Sequence, residues 1–213
     1  MLGRAREKGL LQIELVDLRD FTQNRHRSVD DRPYGGGPGM VLQAEPVIRA
    51  IRSVRTPGCR VIYLSPQGPT LTAKRCQELA QLKELVVLCG SYEGIDQRAI
   101  DAEVDEELSI GDYVLTSGCP AALVLVDAVA RFIPGVLGHE GANQEESFQN
   151  GLFDWPSFTR PELLPAEFGG QRVPPELLQG DPKIVAAWRR RAALEKTQRV
   201  RPDLVECIKE SQT

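Results

Sequence analysis

Residues 30–40 read DDRPYGGGPGM, with Gly35-Gly36-Gly37 followed by Pro38-Gly39. A packed strand or helix gains nothing from so much glycine, because each one in an element interior costs roughly 0.5–1 kcal/mol relative to alanine. Such backbone is kept where the chain needs positive φ or must come close to something else. Arg25, His26, Arg27 and Arg32 flank the run, together with Asp30 and Asp31. A charged collar around bare backbone suits a loop that handles a polar, phosphorylated ligand. A plain solvent-exposed loop fits the same residues. A second basic group lies at 183–201, where Lys183, Arg189, Arg190, Arg191, Lys196, Arg199 and Arg201 meet a single acid, Glu195. Three glycine-punctuated stretches, LSPQG (64–68), CGSYEG (89–94) and IGDYVLTSG (110–118), complete the set of segments with chemical potential.

The formal net charge of −4 gives no hint of nucleic acid, yet an acidic protein can carry a local basic face. Apolar content of 41% supports a real core. A chain of 213 residues exceeds the usual ~100–150-residue domain mode and predicts one large or two modest domains. No run approaches the ~18–20 apolar residues needed to cross a bilayer. The opening, MLGRAREKGLL, lacks the apolar core of a signal peptide. Together these features imply a cytoplasmic protein with no membrane partner. The five cysteines (Cys59, Cys76, Cys89, Cys119, Cys207) are widely spaced with no CxxC. That pattern reads as free thiols rather than a disulfide framework or a zinc site. Only two histidines are present, so no metal site is expected.

Elements must position these segments. LLQIELV (10–16) alternates and predicts a strand. Residues 46–55 predict a short helix opened by Pro46, which suits a first turn. CRVIYLSP (59–66) and ELVVLCG (84–90) read as buried strands that end in turn residues. LTAKRCQELAQL (71–82) has helical spacing at Leu71, Cys76, Leu79 and Leu82, with Thr70 as a cap. IDQRAIDAEV (95–104) predicts a helix, EELSIGDYVLTSG (106–118) a strand and a glycine loop, and AALVLVDAVARFI (121–133) an apolar helix. Strands alternating with helices imply a parallel α/β sheet. In such sheets ligands bind at the carboxyl ends of the strands, where the three glycine-punctuated stretches fall. Residues 134–160 are polar and read as a linker. A helix over 181–196, with Asp181 as N-cap and Pro182 as its first residue, anchors a small helical C-terminal domain.

Taken together, DFTQNRHRSVDDRPYGGGPGM, VIYLSPQG, CGSYEGIDQR, SIGDYVL, RFIPGVLGHE, GLFDWPSFTRP and VPPELLQGD with WRRR resemble the bacterial tRNA (guanine-N1)-methyltransferases. They run in the family's order over essentially the whole chain. The resemblance implies a SPOUT-type α/β fold, a parallel sheet with a deep trefoil knot, plus a small α-helical C-terminal domain. It sets the boundaries at 1–140 for the methyl-donor domain, 141–160 for the linker and 161–213 for the tRNA-binding domain. It implies a homodimer with active sites at the subunit interface. It also implies methyl transfer from S-adenosylmethionine to N1 of the guanosine 3′ to the anticodon (position 37) of tRNA, and leaves open whether Mg²⁺ is required. The chain opens at LGRAREKG, within what resembles the family's first helix, so an upstream extension carrying a first strand is expected.

The same resemblance assigns residues. Guanine N1 carries a proton, so a base within about 2.6–3.2 Å must remove it as the methyl arrives. Negative charge then moves onto O6, where a cation or fixed donor belongs. Glu146 stands where the family has an aspartate proposed as that base. Arg131 is the implied O6 stabiliser and Asp154 a second active-site acid. Glutamate is one methylene longer than aspartate, and a misplacement of ~1 Å can cost ~10²-fold. The donor pocket is implied to comprise Tyr63, Leu64, Ser65, Pro66, Gly90, Glu93, Ile110, Gly111, Asp112, Tyr113, Val114 and Leu115. The family's GRYEG is GSYEG here, and its GGELPA is Ser117-Gly118-Cys119-Pro120-Ala121-Ala122. For tRNA, the loop 25–34 with Arg27 and Asp30 is expected near the target nucleotide, and Arg189 and Arg190 are expected to track phosphate. Two rivals remain: a non-catalytic or weakened RNA-binding relative, and a SPOUT ribose 2′-O-methyltransferase. The linker acid argues against the second, since a ribose oxygen needs no N1 deprotonation.

Overall fold

In the computed structural model, which describes residues 1–138, 143 and 145–210, the chain begins with helix α1 (Leu2–Glu7) and reaches a 3-10 turn at Leu18–Phe21. LLQIELV between them forms no strand, and Leu15 is 92% exposed. Alternation makes a strand only where a partner edge takes its hydrogen bonds, and among the described residues no strand pairs with this segment. Next comes a two-stranded antiparallel ribbon of β1 (Asp30–Asp31) and β2 (Val41–Leu42). The glycine run joins its strands. Gly35, Gly36, Gly37 and Gly39 all have positive φ, which explains why these four positions are glycine.

Helix α2 (Ala44–Val54) starts two residues before Pro46, which still lies in its first turn. Then follow β3 (Arg60–Leu64), α3 (Ala73–Leu79), β4 (Leu85–Cys89), α4 (Gln97–Glu103), β5 (Glu106–Leu108) and α5 (Cys119–Ala130). The N-cap of α3 is Thr72, whose side chain accepts from the Arg75 N–H, not Thr70. Asp96 caps α4 in the same way. The strands form a parallel sheet in the order β4-β3-β5, with Ile62 opposite Val87 and Glu106. A mixed α/β fold around a parallel sheet is therefore the observed architecture of this part.

The central strand explains the layers. Val61 to Leu64 are all buried, as expected of a strand covered on both faces. Alternation then divides its side chains. Val61 and Tyr63 join Val47, Ile51, Leu88, Ile95 and Ala99 on one face, beneath α2 and α4. Ile62 and Leu64 join Cys76, Leu79, Leu108, Ala121, Leu125 and Val129 on the other, beneath α3 and α5. The chain steps outward from β3 to β4, then back past β3 to β5. Crossovers of one hand place their helices on opposite faces when the direction reverses, as α3 and α4 are placed.

At the amino ends of the strands, charges fix the frame. Asp105 accepts from the Val61 N–H at 2.7 Å and pairs with Arg55 at 2.7 Å. Arg52 donates to the buried Glu103 carboxylate at 2.6 Å, and Arg55 reaches the Glu103 carbonyl at 2.9 Å.

The chain divides into two compact units, Met1–Glu140 and Gly141–Thr213. The second holds 3-10 turns at Ala166–Phe168 and Pro175–Leu177, then α6 (Pro182–Val200) and α7 (Pro202–Glu210). Asp181 caps α6 through the Lys183 N–H, with Pro182 leading, and the helix runs on to Val200. Trp188, Ala193 and Thr197 form its buried side.

Burial alone would raise the Asp105 carboxyl, but the Val61 N–H and the Arg55 guanidinium outweigh it and hold it below its ordinary value. A group depressed in the folded state contributes stability that is present above its unfolded pKa and lost as pH falls through the folded one. We expect Asp105→Asn to be less stable than the parent at neutral pH. The difference should fade below about pH 4, the ordinary aspartate value. Urea denaturation at stepped pH measures this; a gap that persists undiminished at the acid end would show that the charge of Asp105 is not its source.

Candidate functional site

The carboxyl ends of β3, β4 and β5 carry the three glycine-punctuated loops, and backbone hydrogen bonds knit them together. After β3, the Ser65 N–H donates to Leu108 C=O at 3.0 Å. The Ser109 N–H donates to Pro69 C=O at 2.9 Å, and the Leu71 N–H to Ser109 C=O at 2.7 Å. Gly68 sits so close that a Cβ there would lie 2.6 Å from the backbone of Glu107 and Leu108. After β4, the Gly118 N–H donates to Gly90 C=O at 2.7 Å, and Ser91 pairs with Ser117. A Cβ on Gly118 would lie 2.8 Å from Gly90 N and 3.0 Å from Cys89 Cα, so only bare backbone fits this crossing.

The glycine ribbon closes the same edge. The Glu93 N–H donates to Met40 C=O at 3.0 Å, and the Leu42 N–H to Gly94 C=O at 3.0 Å. The Glu93 side chain lies against Gly39. Tyr63, Leu64, Ser65, Pro66, Gly90, Glu93 and Ile110 through Leu115 therefore share one edge of the sheet. Within the set, Tyr63 is buried and its ring packs on Gly90, with its hydroxyl 3.0 Å from where a Gly90 Cβ would stand. Burial first, then the nearby Glu107 charge, keeps its phenol protonated to higher pH than usual. The buried Ser109 hydroxyl donates to Gly111 C=O at 2.9 Å and accepts from the Gly111 N–H at 3.1 Å. It holds the turn that starts the 110–115 loop. Asp112, Tyr113, Val114 and Leu115 are exposed on that loop. In the glycine ribbon, Asp30 lies in β1 and its carbonyl accepts from Gln43. Arg27 precedes the ribbon, pairs with Asp20 and donates to Arg19 C=O at 3.3 Å.

Arg131 is the C-cap residue of α5, in the first unit. Glu146 and Asp154 belong to the second unit and share one small loop. The Ser147 hydroxyl donates to the Asp154 carboxylate at 2.6 Å and accepts from the Asp154 N–H at 3.0 Å. The Phe148 N–H donates to Leu152 C=O at 2.7 Å, and Phe148 meets Phe153 edge to face at 5.6 Å. The loop is pinned to α6 by the Phe153 N–H, which donates at 2.9 Å to the hydroxyl of Thr197. On the same helix the Arg189 guanidinium lies 4.5 Å from the Trp155 ring centre, while Arg190 is exposed. Arg191 pairs with Glu176 at 3.0 Å.

Positive φ in a residue with a Cβ marks strain that surrounding structure must hold. Among the described residues it occurs at Arg27, Tyr92 and Phe148. One lies before the glycine ribbon, one in the loop after β4 and one between the two acids. Sequence reasoning had no access to this, nor to Thr197, whose position four residues after Ala193 in a basic helix gives no signal of an anchoring role. Ser109 was readable only as part of a strand end. Among the described residues no group of three or more His, Cys, Asp or Glu converges as metal ligands. No described helix is long and apolar enough to cross a membrane.

A family model described as tRNA (Guanine-1)-methyltransferase TrmD matches residues 1–207. A Protochlamydia amoebophila protein named tRNA (guanine-N(1)-)-methyltransferase is 60% identical over 205 residues, covering 96% of this chain and 90% of that protein. A Chlamydia trachomatis serovar D protein of the same name is 55% identical over 204 residues, but the chain spans only 56% of its length. One from Alcanivorax borkumensis is 51% identical over 208 residues and is covered to 77%.

Thr197 is fully buried and also donates to Ala193 C=O at 2.7 Å. Thr197→Val keeps its shape and strands the Phe153 N–H, a loss worth about 1–3 kcal/mol. We expect faster hydrogen exchange at the Phe153 amide and a lower melting temperature, both restored by Thr197→Ser. Unchanged exchange at Phe153 would show that the acid loop is held by other means.

Proposed function

We propose, from the premise that this chain belongs to the tRNA (guanine-1)-methyltransferase family, that it transfers a methyl group from S-adenosylmethionine to N1 of the guanosine 3′ to the anticodon in tRNA. The observation that carries this is the convergence of three strand-end loops and the glycine ribbon at one edge of a parallel sheet. Ligands of open parallel sheets bind at that edge. The donor needs backbone polar groups and an apolar slot for its adenosine. Gly90 with the Tyr63 ring behind it, and Leu115 and Val114 on the facing loop, fit those needs. When bound, the donor supplies an electrophilic methyl on a sulfonium.

The chain's own residues then have a proton and a charge to manage. Glu146 takes the N1 proton, and Asp154, held by Ser147 on the same loop, is the neighbouring acid. Arg131 faces the charge that grows on O6. Arg190 and the other exposed cations of α6, with the loop that carries Arg27 and Asp30, bind the tRNA. Contacts of that kind give affinity and little sequence information. The target base lies in a single-stranded loop and is read after unstacking. A Mg²⁺ ion has no cage of three acids among the described residues and would be held with substrate oxygens, as this hard cation commonly is. The deep trefoil knot rests on the family likeness. The homodimer is supported by α5, which leaves the apolar Leu123 69% and Val124 48% exposed. A cytoplasmic location accords with a tRNA substrate.

The direct test is methylation of tRNA transcripts carrying guanosine or adenosine at the target position, with digested product analysed by mass spectrometry. 1-Methylguanosine from the guanosine transcript alone is expected. A 2′-O-methylated product would point to the ribose-modifying rival, and tRNA binding without donor binding to a non-catalytic relative.

Two further outcomes follow from the geometry. Gly90→Ala drives a Cβ against the Tyr63 hydroxyl and should weaken S-adenosylhomocysteine binding severalfold by calorimetry. Tyr63→Phe in the same chain removes the hydroxyl contact but keeps the ring carbon at 3.1 Å, and should recover part of the loss, a coupling that a double-mutant cycle reads. Additive effects would place Tyr63 outside the pocket.

Glu146→Gln keeps size and removes basicity, so single-turnover methylation should fall strongly, by about 10²-fold or more, with donor and tRNA affinity nearly intact. Glu146→Asp should retain or raise the rate. If Asp154→Asn abolishes the rate and Glu146→Gln does not, the two acids exchange roles.

A further inference from the structure

Three contacts fasten the segment that carries Asp154 to α6. The Phe153 N–H donates to the buried Thr197 hydroxyl at 2.9 Å, the Arg189 guanidinium lies 4.5 Å from the Trp155 ring centre, and the Phe158 ring meets the buried Trp188 at 6.0 Å. As the segment advances from 153 to 158 its partners retreat along the helix, so it runs antiparallel to α6. Arg189, Ala193 and Thr197 follow one another at four-residue spacing and so share one face; the Ala193 between them is small and buried. Asp154 falls between the first two contacts. Its carboxylate accepts from the Ser147 hydroxyl at 2.6 Å, and Ser147 follows Glu146 directly. Arg189 also differs from its basic neighbours. Arg190 is exposed, and Arg191 pairs with Glu176. The Arg189 Nε is buried and has no acceptor among the described residues. A cation that only tracks phosphate has no reason to sink a donor out of water, where leaving it unpaired costs stability. Stacking of the planar guanidinium on an indole face offsets that burial, and lysine reproduces the charge without the planar stack.

We propose that Arg189 is a positioning residue for methyl transfer: its stack on Trp155 fixes Asp154 and, through Ser147, the backbone that carries Glu146. The inference rests on the roles proposed above for those two acids. Thr197 holds the near side of Asp154 and the Arg189–Trp155 stack the far side, so loss of the stack frees Asp154 at one end while the fold of α6 stays intact. Phosphate contacts then fall to Arg190 and the other exposed cations of the helix.

The test measures, in the full chain, single-turnover methylation at saturating donor and tRNA, and tRNA affinity across a salt series. Arg189→Lys and Arg189→Gln should both lose about tenfold or more in rate, since a misplacement of ~1 Å can cost ~10²-fold. Both should bind tRNA as the parent does, with the same salt dependence. Trp155→Ala should match them, and Trp155→Phe, which keeps an aromatic face, should retain most of the rate. Arg189→Lys combined with Trp155→Ala should be no slower than either alone. Hydrogen exchange at the Asp154 amide, which donates to the Ser147 hydroxyl at 3.0 Å, should quicken in Arg189→Lys. A phosphate contact gives the opposite pattern: Arg189→Gln weakens tRNA binding and lowers the salt slope by about one, Arg189→Lys restores it, and changes at Trp155 do nothing. That pattern overturns the proposal. So does unchanged exchange at Asp154, or a normal rate in both Arg189 variants while Glu146→Gln is slow. If Glu146→Gln and Asp154→Asn both match the parent, the reading of the acids fails, and the positioning role falls with it.

Discussion

At the carboxyl end of β4 the chain passes its own later course with no room for a single methyl group. Gly118 donates to Gly90 at 2.7 Å, and a Cβ on Gly118 would fall 2.8 Å from the Gly90 nitrogen. Everything at this edge depends on that approach. It sets where the 110–118 loop runs, how α5 begins, and how far Tyr63 must reach to pack on Gly90. Gly68 makes a second such contact against β5. Backbone held against backbone leaves polar N–H and C=O groups aligned at the rim, the kind of surface an adenosine can be read by.

The sheet beneath holds that rim in place. Val61 and Tyr63 face one helix layer, Ile62 and Leu64 the other, so β3 is gripped from both sides while its end stays fixed. Ion pairs of Arg52 and Arg55 with Glu103 and Asp105 secure the opposite end. In the second unit a different economy applies. The loop with Glu146 and Asp154 owes its shape to Ser147, to the Phe148–Phe153 contact and to the buried Thr197 hydroxyl. Under the proposed roles the acids gain from such a hold, because catalysis by proton transfer tolerates little misplacement.

Apolar runs made β3, β4 and α5 legible in the sequence, since a strand covered on both faces and a helix with a wide apolar surface leave unmistakable residues. The strand ends were equally legible through their glycines. Where the sequence misled, hydrogen-bond partners were the missing term. LLQIELV alternates, yet among the described residues no strand edge receives it. Thr72 caps α3 instead of Thr70, which bridges to Ser109. Family likeness supplied the roles proposed for Glu146, Arg131 and Asp154, which the residue types alone do not reveal. The strained φ values at Tyr92 and Phe148 and the anchoring by Thr197 arise only from three-dimensional closure.

The strand order has a consequence in time. The central strand, β3, is the first of the three along the chain, and β5 is the last. During synthesis β3 and β4 can pair while β5 is still emerging. Gly118 lies beyond β5 in the chain, so it can settle against Gly90 only once β5 has been made. This edge is therefore finished after the first two strands of the sheet that supports it. A nascent chain halted before residue 118 would own the sheet without the crossing that closes this edge.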